Sequence, residues 1–155
     1  MHINHQEKQL KMEKKIIGFT LKQILTHQFA IVDDAYKADE KVNFAFELNF
    51  ATNAGDRMIR VGTRLRFEQK QIPFILLESS CSFQIKEEDW KELLLENECS
   101  KIALPKDFAT HLAILSVGTA RGILHAKTEQ TDFNKFFIQT IDLTKLIKED
   151  AIIEI

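Results

Sequence analysis

The sequence predicts an α+β fold: a four-stranded antiparallel sheet with a long helix and shorter helices packed on one face. Three observations carry this expectation. Apolar residues alternate with polar ones through the first half of the chain, most regularly from Val42 through Phe44, Phe46 and Leu48 to Phe50. After Pro105 the period changes to three or four residues. Turn-forming clusters such as Asn53-Ala54-Gly55-Asp56 separate the alternating runs. A sheet of this kind has one apolar face that must be covered, and the helix from Pro105 is the available cover.

The first strand is expected over Ile16 to Val32, where Phe19, Leu21, Leu25, Phe29 and Ile31 alternate and Gln23 and His27 interrupt the apolar side. A polar connection around Tyr36 leads to the strand Val42 to Phe50. Beyond the turn at Asn53, Ile59, Val61, Leu65 and Phe67 alternate with Arg60, Arg64 and Arg66, so these two strands form a hairpin whose arginines face outward. A break at Gln69 to Pro73 precedes a fourth strand, Phe74 to Ile85, and four antiparallel strands in sequence order are expected. The segment Glu87 to Leu104, with Trp90 and Leu93 to Leu95, is read as a linker holding a short helix. Pro105 suits a helix start because its missing N–H has no partner there. From it to His125 runs a rod of roughly 30 Å at 1.5 Å per residue. Phe108, Leu112, Leu115 and Ile123, with Ala109, Ala113 and Ala120, form one stripe. Ile114, Val117 and Leu124 lie away from it, and a second apolar side predicts a dimer or a dimer of dimers.

At 155 residues the chain suits one domain, over 15–155, preceded by a mobile arm over 1–14. The formal net charge of −2 supplies no field that draws the protein to nucleic acid. Cys81 and Cys99 form neither a metal-type pair nor a disulfide framework, and both are expected to be reduced and at least half buried. The polar start, Met1 to Lys15, lacks the apolar stretch of a signal peptide, and no later run reaches the roughly 20 apolar residues of a span. A cytoplasmic protein without stable membrane insertion is expected.

Phe83-Gln84-Ile85, then an irregular stretch carrying Cys99, then Ile102, Leu104-Pro105, Phe108, the helix through Leu112, Arg121-Gly122 and the closing run Ile138 to Leu146 resemble, in order and spacing, the SecB family of bacterial protein-export chaperones. The motif match covers roughly Phe74 to Leu146, and the strand pattern extends it back to Phe19. The resemblance implies the SecB-like fold and a cytoplasmic homodimer or homotetramer that holds unfolded or precursor polypeptides for protein export. Family members meet the translocase motor ATPase through acidic groups on the exposed sheet face. Here Arg60, Arg64 and Arg66 make that face locally basic and form a candidate partner-docking stripe. The last helix is confined to about Asp142 to Glu149, leaving Ile152, Ile153 and Ile155 as an apolar tip.

Chemistry-bearing constellations are sparse. Gly118 to Gly122 lacks the phosphate-loop patterns and reads as small residues for close packing. Arg121 suits helix C-terminal carbonyls or a neighbouring subunit's acid. His2 and His5 suit transient metal contact, whereas His111 and His125 stand about 21 Å apart along the helix and cannot share an ion. Ser79, Ser80 and Ser82 alternate along a strand with no base nearby in the sequence. No catalytic residue, metal or cofactor is expected.

The prominent signal is 12 Phe against 1 Tyr and 1 Trp. Phe44, Phe46, Phe50, Phe67 and Phe83 are expected to fill the sheet–helix core. Tyr36, Phe133, Phe136 and Phe137 fall outside that pattern and match the crossover loop and groove-lining segment implied by the resemblance. They either line a peptide groove, partly exposed, or close the core. The expected activity is non-enzymatic binding of extended apolar polypeptide segments. The alternatives are an adaptor of the same fold with one dedicated partner, for example an antitoxin, a structural oligomer, or a small-molecule enzyme with a pocket under Trp90.

Overall fold

The computed structural model of the chain describes residues 16–95 and 98–155, with the side chains of 98 and 99 left out. The arm over 1–14, His2, His5 and the side chain of Cys99 lie outside the described residues. Strands β1 (Phe19–Ile31), β2 (Asn43–Asn53), β3 (Met58–Gln69) and β4 (Ile72–Ile85) form an antiparallel sheet in the order β1-β4-β3-β2. Sequence order fails at one place: β1 pairs with β4 rather than β2. The reason is loop length, because β2, β3 and β4 are joined by tight turns whereas the segment 32–42 is long enough to cross to the far edge.

Alternation in β2 to β4 does what the sequence requires. Ile59, Val61 and Leu65 are fully buried, Arg60 and Arg64 are exposed, and Phe46 stands opposite Leu65 as Phe50 does opposite Val61. The five core phenylalanines divide, however. Phe67 and Phe83 are buried and Phe46 and Phe50 half-buried, whereas Phe44 is 39% exposed. Phe44 sits on the edge strand β2, and the covering helix packs over β3 and β4.

In β1 the expected alternation breaks. Register shifts between Leu21 and Gln23 and between Thr26 and Gln28 mark two bulges. Each extra residue exchanges the faces of all that follows. Leu21 and Ile24 therefore stand opposite the core residues Phe83 and Cys81, while Leu25 stands opposite Ser80 on the outer side, and Phe29 returns to the core side opposite Leu77.

Helix α1 (Glu87–Leu93) is followed by β5 (Leu94–Leu95) and β6 (Glu98–Leu104), so the expected linker contains two strands. Helix α2 (Lys106–Thr128) starts from Pro105 at its N-cap, whose carbonyl accepts from the Ala109 N–H at 2.9 Å. Its buried side is Ala109, Leu112, Ala113, Val117, Ala120 and Leu124, so Val117 and Leu124 belong to the core and the second apolar side is Ile114 with Leu115. The single-turn helix α3 (Leu143–Leu146) replaces the longer one expected to Glu149. The apolar tip is strand β7 (Ala151–Glu154), which pairs with β6 in a small sheet of order β5-β6-β7.

The core divides at a polar waist. Thr63 and Ser79, both buried, share a 2.8 Å hydrogen bond at mid-sheet. One apolar cluster around Phe83, Trp90, Ile102 and Leu112 lies to one side, and another around Leu65, Phe74, Val117 and Leu124 lies to the other. Trp90 is 6% exposed and packs within the first cluster. Cys81 is a buried free thiol.

Candidate functional site

The second core cluster opens at one end into an aromatic nest. The crossing segment after β1 makes a short 3-10 turn, Asp33–Ala35, that delivers Tyr36. Buried Gln69 holds this segment: its side-chain amide donates to the carbonyls of Lys37 at 2.7 Å and Glu40 at 3.1 Å and accepts from the Lys37 N–H at 2.9 Å. From the other side, a 3-10 turn Asp132–Lys135, started by the Thr131 hydroxyl accepting from the Phe133 N–H, delivers Phe133 and Phe136. Ring centroids of Tyr36 lie 4.9 Å from Phe74 and 5.6 Å from both Phe133 and Phe136. These are separations at which tilted and edge-on pairs attract. The Lys135 ammonium sits 5.3 Å from the Tyr36 ring centre and 5.4 Å from that of Phe136.

Beside the nest runs an open groove of about 950 Å³ bounded by Ile31, Asp33, Tyr36, Phe133 and Lys135 with residues 130–132. Three of the four proposed peptide-binding residues thus come together. Phe133 departs from the expected partial exposure: it is buried at 9%, because the turn that carries it drives its ring against Phe74. Tyr36 and Phe136 are half-buried, and Phe137 stands outside the ring cluster, 48% exposed. Behind it, Arg121 donates from Nε to the Ile138 carbonyl at 2.8 Å and from Nη2 to that of Gln139 at 3.2 Å. The arginine clips the segment after the groove onto α2, and the carbonyls it serves are those of this segment.

The outer sheet face is less basic than the stripe of arginines implies. Arg64 lies between Glu78 at 3.1 Å and Glu47 at 4.0 Å in one cross-strand row. Arg60 is exposed and Arg66 half-buried on the same face. Between the Arg60 and Arg64 rows, Gly62 leaves a dent of about 140 Å³ into which the Asn49 side chain leans, since a Cβ on Gly62 would meet the Asn49 amide. His27 Nε2 shares a 2.8 Å hydrogen bond with Ser80 Oγ at the dent's far side. Sequence reasoning found no base for the serines, and β1 supplies one from 53 positions away. A lone glycine in an alternating strand and a histidine breaking an apolar run were the legible signals. This hydroxyl–imidazole contact lies on the open face of the sheet, between the edge strand β1 and β4.

Apolar residues are also open on β1 and on α2. Leu21, Ile24 and Leu25 are 46%, 48% and 40% exposed on the edge strand. Along the solvent side of α2, Ile114 and Leu115 are exposed beside Gly118 and Gly122, where an added Cβ would meet nothing within 4 Å. The expected close packing at these glycines is not made by this chain. His111 packs its ring on Phe19 at 5.6 Å, and His125 pairs with Glu129 at 3.2 Å.

Among the described residues, no three His, Cys, Asp or Glu side chains are placed to hold a metal ion. Among them, too, no helix is long and apolar enough to cross a membrane. No family model matches the sequence, and no curated protein matches it. One solved structure similar to the chain is the SecB-like chaperone Rv1957 of Mycobacterium tuberculosis in complex with a ChAD peptide from the Rv1956 HigA1 antitoxin. It is 14% identical, the similarity covers 88% of this chain and 98% of that one, and the TM-score is 0.44.

Proposed function

We propose that the protein is a SecB-like holdase that binds extended apolar segments of unfolded or precursor polypeptides without chemistry. The observation that carries this reading is the aromatic groove: half-buried Tyr36 lines an open channel with the edge of Phe133, Phe136 packs behind the Tyr36 ring, and Phe137, next in the chain, stands exposed. Affinity arises from apolar area removed from water, at roughly 25 cal/mol per Å², which is indifferent to sequence and suits many clients. Lys135 adds a charge at the rim that favours acidic flanks in the client.

The groove works as part of an assembly. The β1 edge with Leu21 and Ile24, and the α2 flank with Ile114, Leu115, Gly118 and Gly122, are the faces we assign to a second copy, giving a homodimer or homotetramer. Docking of a further partner falls to the outer sheet face. With Arg64 already between two glutamates, Arg60 and Arg66 are the groups available to an acidic segment, whether of a translocase motor ATPase or of another protein. Protein export and a cytoplasmic location belong to this same reading. The built dent at Gly62, with Asn49, His27 and Ser80 around it, favours a second reading, an adaptor with one dedicated partner such as an antitoxin.

The test is the binding of a fluorescently labelled, permanently unfolded polypeptide, followed by anisotropy. Changing Phe137 and Tyr36 to Ser in turn is expected to weaken binding at least about fivefold each, or about 1 kcal/mol, with folding retained. Unchanged affinity in both variants contradicts the groove. Binding confined to one native partner, with no affinity for unfolded chains, selects the adaptor.

A further inference from the structure

Two pairs of metal-ligating side chains stand on the solvent side of α2, one near each end. Asp107 and His111 are four residues apart close to its start, and His125 and Glu129 are four apart at its close, where Glu129 is the C-cap. All four residues are exposed. At this spacing side chains share one helix face, with Cβ atoms about 5 to 6 Å apart. His125 and Glu129 are already drawn together, Nε2 to Oε1 at 3.2 Å. That separation is close to the edge of a tetrahedron built on bonds of about 2.0 Å, the geometry in which zinc takes imidazole and carboxylate. The His111 ring rests on Phe19, with centroids 5.6 Å apart.

A pair of ligands holds a divalent ion weakly, and within one chain the two pairs are about 21 Å apart. A second copy brings them together. His111 stands seven residues before Gly118 and His125 seven after it, and Ile114 stands four before and Gly122 four after. A two-fold axis through Gly118 therefore sets two α2 helices antiparallel, with Gly118 facing its own copy and Ile114, 53% exposed, over the second copy's Gly122. An added Cβ at Gly118 or Gly122 meets nothing within 4 Å in this chain, so the gap is open to that knob. The same axis lays His111 opposite the second copy's His125, and Asp107 opposite the second copy's Glu129. The apolar fit favours the contact, and the facing carboxylates oppose it until a cation lies between them.

We propose that a divalent transition-metal ion, Zn²⁺ foremost, binds between two copies at Asp107 and His111 of one and His125 and Glu129 of the other, twice per dimer, and strengthens self-association. This rests on the assignment of the α2 flank to a second copy. Two imidazoles among the four ligands select such an ion over Mg²⁺ or Ca²⁺, which take oxygen ligands. The metal takes His125 Nε2 while the ring proton sits on Nδ1. Asn134 Nδ2, 3.4 Å from that Nδ1, is too distant to hold the other tautomer firmly.

The experiment is sedimentation equilibrium of the full chain, across the dilution range in which it dissociates, in ZnCl2 and in EDTA. At least about tenfold tighter association in zinc, at one ion per chain and reversed by EDTA, is the expected result. His111→Ala and His125→Ala each remove the gain and leave association in EDTA as in the wild type. Mixed in equal amounts, the two variants regain it with one ion per dimer, because the mixed dimer holds one complete site. His2→Ala with His5→Ala leaves the response unchanged. Equal association in zinc and EDTA overturns the proposal, as does a gain that survives both α2 histidine variants, a failure of the mixture to recover, or a chain that binds zinc and stays monomeric. Clients held by a chain whose association ignores zinc overturn the metal site and leave the holdase standing. A zinc-linked dimer that holds no client supports the site and overturns the holdase.

Discussion

Lys70 and Gln71 close the β3–β4 hairpin with φ of 50° and 66°, in the left-handed region that favours Asn and Gly. Neither residue announces such a turn, so the sequence marks only a break there. Gln71→Gly relieves the steric cost at an exposed position, and a gain of about 0.5 to 1 kcal/mol in urea unfolding is expected, whereas a loss would mean that the glutamine side chain stabilises the turn. At the Asn53 turn the left-handed residue is Arg57, φ 54°, rather than Gly55. Graded burial separates the groove phenylalanines in the same way. Changing buried Phe133 to Ser is expected to cost about 3 to 5 kcal/mol, half-buried Phe136 roughly half of that, and exposed Phe137 under about 1 kcal/mol. A flat series in chemical denaturation would contradict the placement of these rings. The sequence left open whether Tyr36, Phe133, Phe136 and Phe137 line a groove or close the core, and their burial was not legible because for Phe133 and Phe136 it depends on a 3-10 turn lacking any apolar period.

Elements with long, regular alternation were legible and short or irregular ones were not. β2, β3 and β4 follow their sequence pattern because every second side chain meets the core. β1 has the same composition, but two bulges reverse its faces, and nothing local in the sequence marks where an extra residue enters. β5, β6 and β7 are too short for a period to emerge, and their pairing is long-range. For α2 the start at Pro105 was legible and the buried stripe only in part, since Leu115 faces solvent and Leu124 the core. Its glycines allow a sharp test of self-association. Gly118→Ala and Gly122→Ala are each expected to stabilise an isolated chain by about 1 kcal/mol through helix propensity, with no internal clash. If this flank packs against a second copy, the same pair weakens the oligomer in sedimentation equilibrium. An oligomer as strong as the wild type's would place the interface elsewhere.

At the scale of the whole molecule, one face of the sheet is roofed and the other left open, and each end of the roof helix meets an extended segment of the chain. At one end the crossing segment and the 3-10 turn frame the aromatic groove, and at the other the C-terminal strand fills the β6 edge. The α+β class and the sheet–helix division were legible from the change of period. The strand order and the small second sheet were not, because both depend on where long connections lead. The arrangement gives surfaces for holding chains, and the dent on the open face brings His27 and Ser80 together beside Glu47 and Glu78. The most direct test of this account is light scattering from a denatured client diluted into buffer with and without the protein. Suppression of aggregation at about one to two oligomers per client, lost in Phe137→Ser with the melting temperature preserved, is the predicted result, since exposed apolar segments are then covered rather than left to associate. Undiminished scattering at about tenfold excess of folded protein would contradict it.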